Sequence, residues 1–302
     1  VKTTFECMAC YLRQTVQVAR ISSRDKGVQL LALRRVAELI ARMDMDKTPP
    51  ENSIPVYRAI AEITGCADPY YEIKERSNRQ VLSLLPECKK MVAAADDSLA
   101  TALRFAIGGN IIDYGAMHSF DVDAAMARCL KAPFAVDHCQ RFLKKVRGLD
   151  AHSKVLYLAD NCGEIVYDSL VVSELVSMGL NVTVAVKSGP IINDALLADA
   201  KASGIDTIAS VIENGTNCPG TPLNSCSQEF MQAFNDADLI ISKGQGNFET
   251  LSEVEAEIFF LLTVKCSVVG AHLAEISNTP QDVLPGTGEI VLFHYNGTQK
   301  ND

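Results

Sequence analysis

Positive charge is in short supply in this 302-residue chain: 28 Lys and Arg stand against 37 Asp and Glu, a formal net charge of -9. That balance argues against a nucleic-acid or anionic-membrane partner, since both need a basic footprint. A bound cation can reverse the field locally, so a small anionic substrate is still compatible. No apolar run approaches the ~20 residues that would span a bilayer. The first residues, where Glu6 and Arg13 interrupt the apolar positions, do not read as a secretory leader, and a cytoplasmic protein is expected. Histidine is scarce as well. His118, His138, His152, His272 and His294 have no partner at i+3 or i+4, which leaves a histidine-rich metal site without support. There is no internal repeat and no low-complexity stretch.

A second CxxC is also missing. Ten cysteines (7, 10, 66, 88, 129, 139, 162, 218, 226, 266) are scattered through the chain, many inside apolar patterns, as expected of thiols used as small hydrophobes in a reducing cytoplasm. Cys7-Met8-Ala9-Cys10 heads a helical pattern rather than following a strand, so core packing is preferred to redox chemistry. A metal completed by Cys88 or another distant thiol is the alternative. Cys218 and Cys226 lie in a loop rich in Gly, Pro and Asn that suits a rim or lid better than a ligand pair.

What is present divides into two halves. At 48% hydrophobic and 22% charged residues the chain is ordinary globular material, long enough for two cores. From Phe5 to about Gly148 the apolar positions recur at helical spacing, the last such segments being Val122 to Leu130 and Val136 to Val146. Breakers sit at Thr48-Pro49-Pro50, Gly65 with Pro69, and Ala132-Pro133. From Ser153 onward, short apolar runs (155–158, 182–186, 207–211, 239–242, 259–264) alternate with helical patterns, the mark of a mostly parallel sheet with crossover helices. Glu289 to Tyr295 would add an edge strand. The expected fold is an all-helical domain, 1–150, packed on a three-layer α/β/α domain with a Rossmann-like sheet, 151–302.

Strands of a parallel sheet deliver their loops to one edge, where open α/β sheets bind ligands. The loops here agree in character. Asp160-Asn161-Cys162-Gly163-Glu164 follows the first strand, and Lys187-Ser188-Gly189-Pro190-Ile191-Ile192-Asn193-Asp194 follows the second. Glu213-Asn214-Gly215 follows the third, Lys243-Gly244-Gln245-Gly246-Asn247 the fourth, and Lys265-Cys266 the fifth. Carboxylates and carboxamides are hard oxygen ligands for Mg²⁺, Mn²⁺ or a similar cation. Lysines, glycine N–H groups and helix N-termini suit a phosphate. Each loop also has a plainer account: Asp160 and Asp194 could cap the helices that follow them, Lys243 could be solvated, and Gly244-Gln245-Gly246 could be a simple turn. In the helical half, Asn110 and Asp113 share one helical face inside Gly109-Asn110-Ile111-Ile112-Asp113-Tyr114-Gly115. They either belong to a C-cap or reach into the cleft between the halves.

In these motifs the chain resembles the damage-control phosphatases, the metal-dependent family with an ARMT-like domain, and within it the prokaryotic branch. The resemblance runs from the CxxC helix through Gly-Asn-x-x-Asp-Tyr-Gly, Asp160-Asn161-x-Gly-Glu and Pro190-Ile-Ile-Asn-Asp194 to Ser242-Lys-Gly-x-x-Asn-Phe248. It implies a helical domain on an α/β domain and dephosphorylation of small phosphorylated metabolites such as sugar phosphates, nucleotides or cofactor fragments. It further implies Asp160, Asn161 and Asp194 as ligands of a divalent cation (Mn²⁺, Mg²⁺, Co²⁺ or Ni²⁺) and Lys243 as a phosphate contact. Cys162, Gly163, Glu164, Ser188, Gly189, Asn193, Gly244, Asn247, Asn110 and Asp113 are the further candidates to line the substrate. Cys162 stands where relatives often carry a small residue such as Ala, and Phe248 where Tyr is common.

Water is preferred to Asp160 as the attacking group. Phosphatases of the haloacid-dehalogenase type need a second Asp two places after their nucleophile, and that place is Cys162. A Rossmann oxidoreductase or transferase would need a dinucleotide fingerprint after the first strand, which Asp160 to Glu164 lacks. A phosphometabolite-binding protein without catalysis would differ in showing no metal-stimulated turnover.

Overall fold

The computed structural model describes residues 1–108 and 130–297. Five helices come first: α1 (Phe5–Ser22), α2 (Lys26–Ile40), α3 (Pro49–Thr64), α4 (Tyr71–Ala94) and α5 (Ser98–Gly108). The helix expected over 56–64 begins seven residues earlier, because the Thr48-Pro49-Pro50 breaker is in fact a start signal. Thr48 accepts the Glu51 N–H, Glu51 Oε2 takes the Thr48 N–H at 3.0 Å, and Pro49 occupies the first helical position, where no N–H is needed.

The sheet follows. Its strands are β1 (Phe134–Asp137), β2 (Lys154–Leu158), β3 (Asn181–Val186), β4 (Ser210–Glu213), β5 (Leu239–Lys243), β6 (Ile258–Val264) and β7 (Glu289–Tyr295). Between them run α6 (Cys139–Arg147), α7 (Glu164–Ser177), α8 (Leu197–Ser203), α9 (Gln228–Asn235), α10 (Gln245–Leu251) and α11 (Ser267–Ser277). The order across the sheet is β1-β7-β6-β5-β2-β3-β4, parallel throughout except for the β6–β7 pair.

Alternation along each strand divides the side chains between two cores. In β6, Phe259 and Leu261 face the core shared with α4, α5, α6 and α7, while Ile258, Phe260, Leu262 and Val264 face the core shared with α9, α10 and α11. Because both faces are covered, the strands read as continuous apolar runs. Phe105 of α5 stacks on Tyr167 of α7, ring centroids 6.1 Å apart, so the helical half and the sheet share a core. A smaller cluster of Val18, Val36, Val56 and Ile60 holds α1 to α3 together.

Three expectations need correction. Residues 136–146, read as one helix, are the end of β1 followed by α6, and β1 pairs with β7, so the sheet takes a strand from the segment expected to be wholly helical. β7 is interior, between β1 and β6, rather than an edge strand. The strand expected at 207–211 begins at Ser210, after a 3₁₀ turn at Ile205–Thr207.

Candidate active site

β2 lies between β3 and β5, and the chain leaves it toward β3 on one side and returns through β5 on the other. This reversal opens a crevice at the carboxyl ends of β2 and β5. Two loops are joined across it by a two-residue antiparallel bridge between Asn161 and Asp194. The Cys162 N–H donates to the Asn193 carbonyl at 2.9 Å, and the Ala195 N–H to the Asp160 carbonyl at 2.7 Å. Backbone pairing alone therefore brings Asp160, Asn161 and Asp194 together. Neither aspartate acts as a helix cap: Gly163 precedes α7, and Asp199 takes the Leu196 N–H at the start of α8 at 2.8 Å.

The side chains form a buried charge cluster. Asp160 and Asp194 are 8% and 3% exposed. Asn161 Nδ2 donates to Asp160 Oδ2 at 2.6 Å and to Glu164 Oε1 at 2.9 Å. Lys243 Nζ lies 2.7 Å from Asp168 Oδ1 and 3.5 Å from Glu164 Oε2, and the Tyr157 hydroxyl also donates to Asp168 Oδ1, at 2.7 Å. Lys187 Nζ donates to the Gly220 carbonyl at 2.8 Å and to Asn247 Oδ1 at 3.1 Å, with Asp194 Oδ2 at 3.8 Å. Asp194 Oδ2 and Asp168 Oδ2 accept no hydrogen bond from the described residues. Burial, and then the charge of Glu164, push the Asp160 carboxyl up to about 7. Burial likewise holds Asp194 well above the usual carboxylate range, and Lys187 offsets only part of this.

A divalent cation fits this cluster. The buried carboxyls Asp160, Glu164, Asp168 and Asp194 outnumber the buried ammoniums Lys187 and Lys243 beside them, and the shortfall shows in the raised Asp160 and Asp194 carboxyls. Among the described residues no three His, Cys, Asp or Glu side chains converge as ligands, so a cation here would have to take the Asn161 carboxamide beside the two aspartates. Hard oxygens of this kind suit Mg²⁺ or Mn²⁺.

Two glycines shape the site. Gly163, at φ +76, donates its N–H to Asn78 Oδ1 of α4 at 2.6 Å, and a Cβ there would meet Ser77 Oγ at 2.4 Å. Gly244, at φ +80, lies so close to Asp160 that a Cβ would stand 2.1 Å from the carboxylate carbon. Gly244→Ala is therefore expected to displace Asp160 and lower kcat/KM by about 10²-fold. Gly244 combines φ +80 with ψ 160, a region essentially closed to residues with a Cβ, so backbone strain and contact with Asp160 act together in this variant. Unchanged kcat/KM in Gly244→Ala would remove the close approach of this backbone from the site.

The other expected residues take up varied roles. Cys162 is buried, its thiol pushed far up by desolvation. Lys243, expected at a phosphate, is held by Asp168 and Glu164. Asn247 is fully buried and clamps the site from within: Nδ2 reaches the Ala159 and Lys243 carbonyls, and Oδ1 accepts from Lys187 and Thr221. The Gly244 N–H goes to the Leu261 carbonyl, and Ser188 Oγ takes the Gly215 N–H. Of the three loop glycines, Gly189 alone has an N–H that meets no acceptor among the described residues. Asn193 contributes its carbonyl to the bridge. Asn110 and Asp113 lie outside the described residues. Sequence reasoning missed Asp168, although it stands four residues after Glu164 on an otherwise apolar helix. It counted Lys187 among the loop lysines for a phosphate, whereas the ammonium is held by Gly220, Asn247 and Asp194, and it gave no role to Asn78, whose amide bonds Asp199 at 2.6 Å and so ties α4 to α8.

Residues 3–278 match the damage-control phosphatase ARMT1-like domain. The chain is 33% identical to a damage-control phosphatase of Pyrococcus horikoshii, over 90% of this chain and 94% of that one. It is 31% identical to a damage-control phosphatase of Archaeoglobus fulgidus, over 88% and 93%. A crystal structure of a DUF89 family protein from P. horikoshii superposes with a TM-score of 0.87 at 31% identity, covering 98% of this chain and 99% of that one. The chain belongs to the ARMT1-like damage-control phosphatase family, whose members are metal-dependent phosphatases of small phosphorylated metabolites.

Proposed function

We propose that this family member hydrolyses its phosphomonoester in the crevice between β2 and β5, with Asp160, Asn161 and Asp194 holding one divalent cation, Mn²⁺ or Mg²⁺ before Co²⁺ or Ni²⁺. One observation carries the reading: a buried cluster with more carboxyls than ammoniums, in which Asp194 Oδ2 accepts no hydrogen bond from the described residues and has Lys187 Nζ beside it only at 3.8 Å. When bound, the cation supplies positive charge that attracts a phosphoryl oxygen and offsets charge growing on it in the transition state. Lys187 holds Asp194 in place. Lys243 fixes Glu164, and Glu164 orients the Asn161 carboxamide. The Gly189 N–H offers a donor to a further phosphate oxygen. With Cys162 in the place of a second aspartate, water is the attacking group that the loop supports.

Cation affinity should depend on pH with a definite sign. Asp160 titrates near 7 without a cation and Asp194 is also held well above the ordinary carboxylate range, so as pH falls a cation must displace protons and binds more weakly. The rise in Tm produced by saturating Mn²⁺ is thus expected to be clearly larger at pH 8 than at pH 6. A Mn²⁺ effect independent of pH, or an equal effect in Asp160→Asn, would remove Asp160 from the ligand set.

A further inference from the structure

Two residues past each side of the Asn161–Asp194 bridge, a backbone N–H meets a buried side-chain acceptor. The Gly163 N–H donates to Asn78 Oδ1 of α4 at 2.6 Å, and the Leu196 N–H donates to Asp199 Oδ2 at 2.8 Å. The two acceptors are themselves joined, Asn78 Nδ2 donating to Asp199 Oδ1 at 2.6 Å. A chain of hydrogen bonds therefore runs from the loop that carries Asn161, through α4 of the helical half, to the loop that carries Asp194.

Position 78 asks for a carboxamide. Its oxygen must accept from an N–H while its nitrogen donates to a carboxylate, and an amide side chain offers both at once. Aspartate there would set two carboxylates against each other, and alanine would take away the acceptor of the Gly163 N–H. Such losses matter because Asn78 and Asp199 are 4% and 5% exposed, so water replaces a missing partner poorly. The surrounding helix leaves the contact little play. Ser77 and Val81, on the same side of α4 as Asn78, cover Gly163 so closely that a side chain added there would run into Ser77 Oγ. α4 also packs on both α7 and α8, the helices that follow the two loops.

We infer that Asn78 is a positioning residue for the cation site, holding the two ligand-bearing loops at the spacing a cation needs, through Gly163 on one side and Asp199 on the other. The inference rests on Asp160, Asn161 and Asp194 as the ligands, as proposed above. The backbone bridge between Asn161 and Asp194 joins the loops at one place, about which they could pivot. A second attachment two residues further along each loop removes that freedom. Groups that fix the ligands of a metal without touching it govern its affinity, because a ligand that must first be moved into place gives up part of its binding energy. In this way the helical half acts on the cation through Asn78, from outside the ligand set.

The test reads Mn²⁺ affinity of the full chain by calorimetric titration, with urea melts of the cation-free proteins beside it. Asn78→Ala is expected to weaken Mn²⁺ binding by about ten- to a hundredfold. Asn78→Asp and Asp199→Asn should each weaken it as well, since one opposes two carboxylates and the other opposes two amide NH₂ groups. In the double variant Asn78→Asp, Asp199→Asn the polarity of the link is reversed and every group is paired again, so most of the lost affinity should return. Asn52→Ala is the control for stability alone. Asn52 is 5% exposed and donates to Thr3 Oγ1 at 2.8 Å and to the Asp44 carbonyl at 2.7 Å within the helical half, so its loss should lower stability and leave Mn²⁺ affinity unchanged. If Asn78→Ala fails to fold, Asp199→Asn and the double variant decide the matter. Wild-type affinity in Asn78→Ala or Asp199→Asn, an equal loss in Asn52→Ala, or no recovery in the double variant overturns the role of Asn78 and leaves the cation site standing. Unchanged affinity in Asp194→Asn overturns the cation site, and the role of Asn78 with it.

Discussion

Asp160→Asn is expected to lower phosphatase turnover by roughly 10³-fold or more and, at the same time, to make the cation-free protein more stable above neutral pH. The loss follows from removing one of the two charged ligands proposed for the cation, at a position where charge develops. The gain follows from linkage. Asp160 titrates near 7 in the folded chain against an ordinary 3.8, so between those values the native state binds the extra proton and its stability falls as pH rises. Asparagine carries no such penalty. The variant should match wild type near pH 4, draw ahead through pH 7, and lead by about 4 kcal/mol at pH 8 in urea melts without metal. Saturating Mn²⁺ should reverse the order, because only wild type binds it well. A variant less stable than wild type at pH 8 without metal would show that the carboxylate is compensated within the protein, and the charge-deficit reading would fail.

The gathering of Asp160, Asn161 and Asp194 was legible because it depends on a rule of topology: parallel strands send their loops to one edge, and a chain reversal opens that edge. How the cluster is neutralised was not. Lys243 reads as a phosphate contact, or more plainly as a solvated loop residue, because nothing local marks its burial; its partner Asp168 lies 75 positions away and meets it only in the folded chain. Asn247 reads as a ligand-facing amide for the same reason, yet its four contacts all lie inside the protein. β1 was hidden by length. Phe134–Asp137 is four residues long with apolar positions that run on into the helical period of α6, and only pairing with β7, some 155 residues later, makes it a strand. The start of α3 was misread although its signal is in plain sequence: Thr48 and Glu51 carry a capping box, but the two prolines between them look like a terminator.

Lys243→Met should destabilise the protein by about 3–5 kcal/mol, a large share of the 5–15 kcal/mol typical of a folded chain. The ammonium is 1% exposed and is the cationic partner of Asp168, which is itself fully buried, its Oδ2 accepting no hydrogen bond from the described residues. Methionine has nearly the volume of the lysine stem but leaves Asp168 and Glu164 without their counter-ion, and an uncompensated buried charge costs far more than a lost surface pair. Adding Asp168→Asn removes that charge while keeping an acceptor for the Tyr157 hydroxyl, and the double variant should recover most of the lost stability. Activity should not recover with it, because Glu164 still lacks the ammonium that fixes it against Asn161. Denaturant melts and steady-state rates on the two variants separate the possible roles. A Lys243→Met protein that keeps wild-type stability and loses only kcat/KM would place the ammonium at the phosphate, as the motif alone suggests, and would remove it from the charge balance of the core.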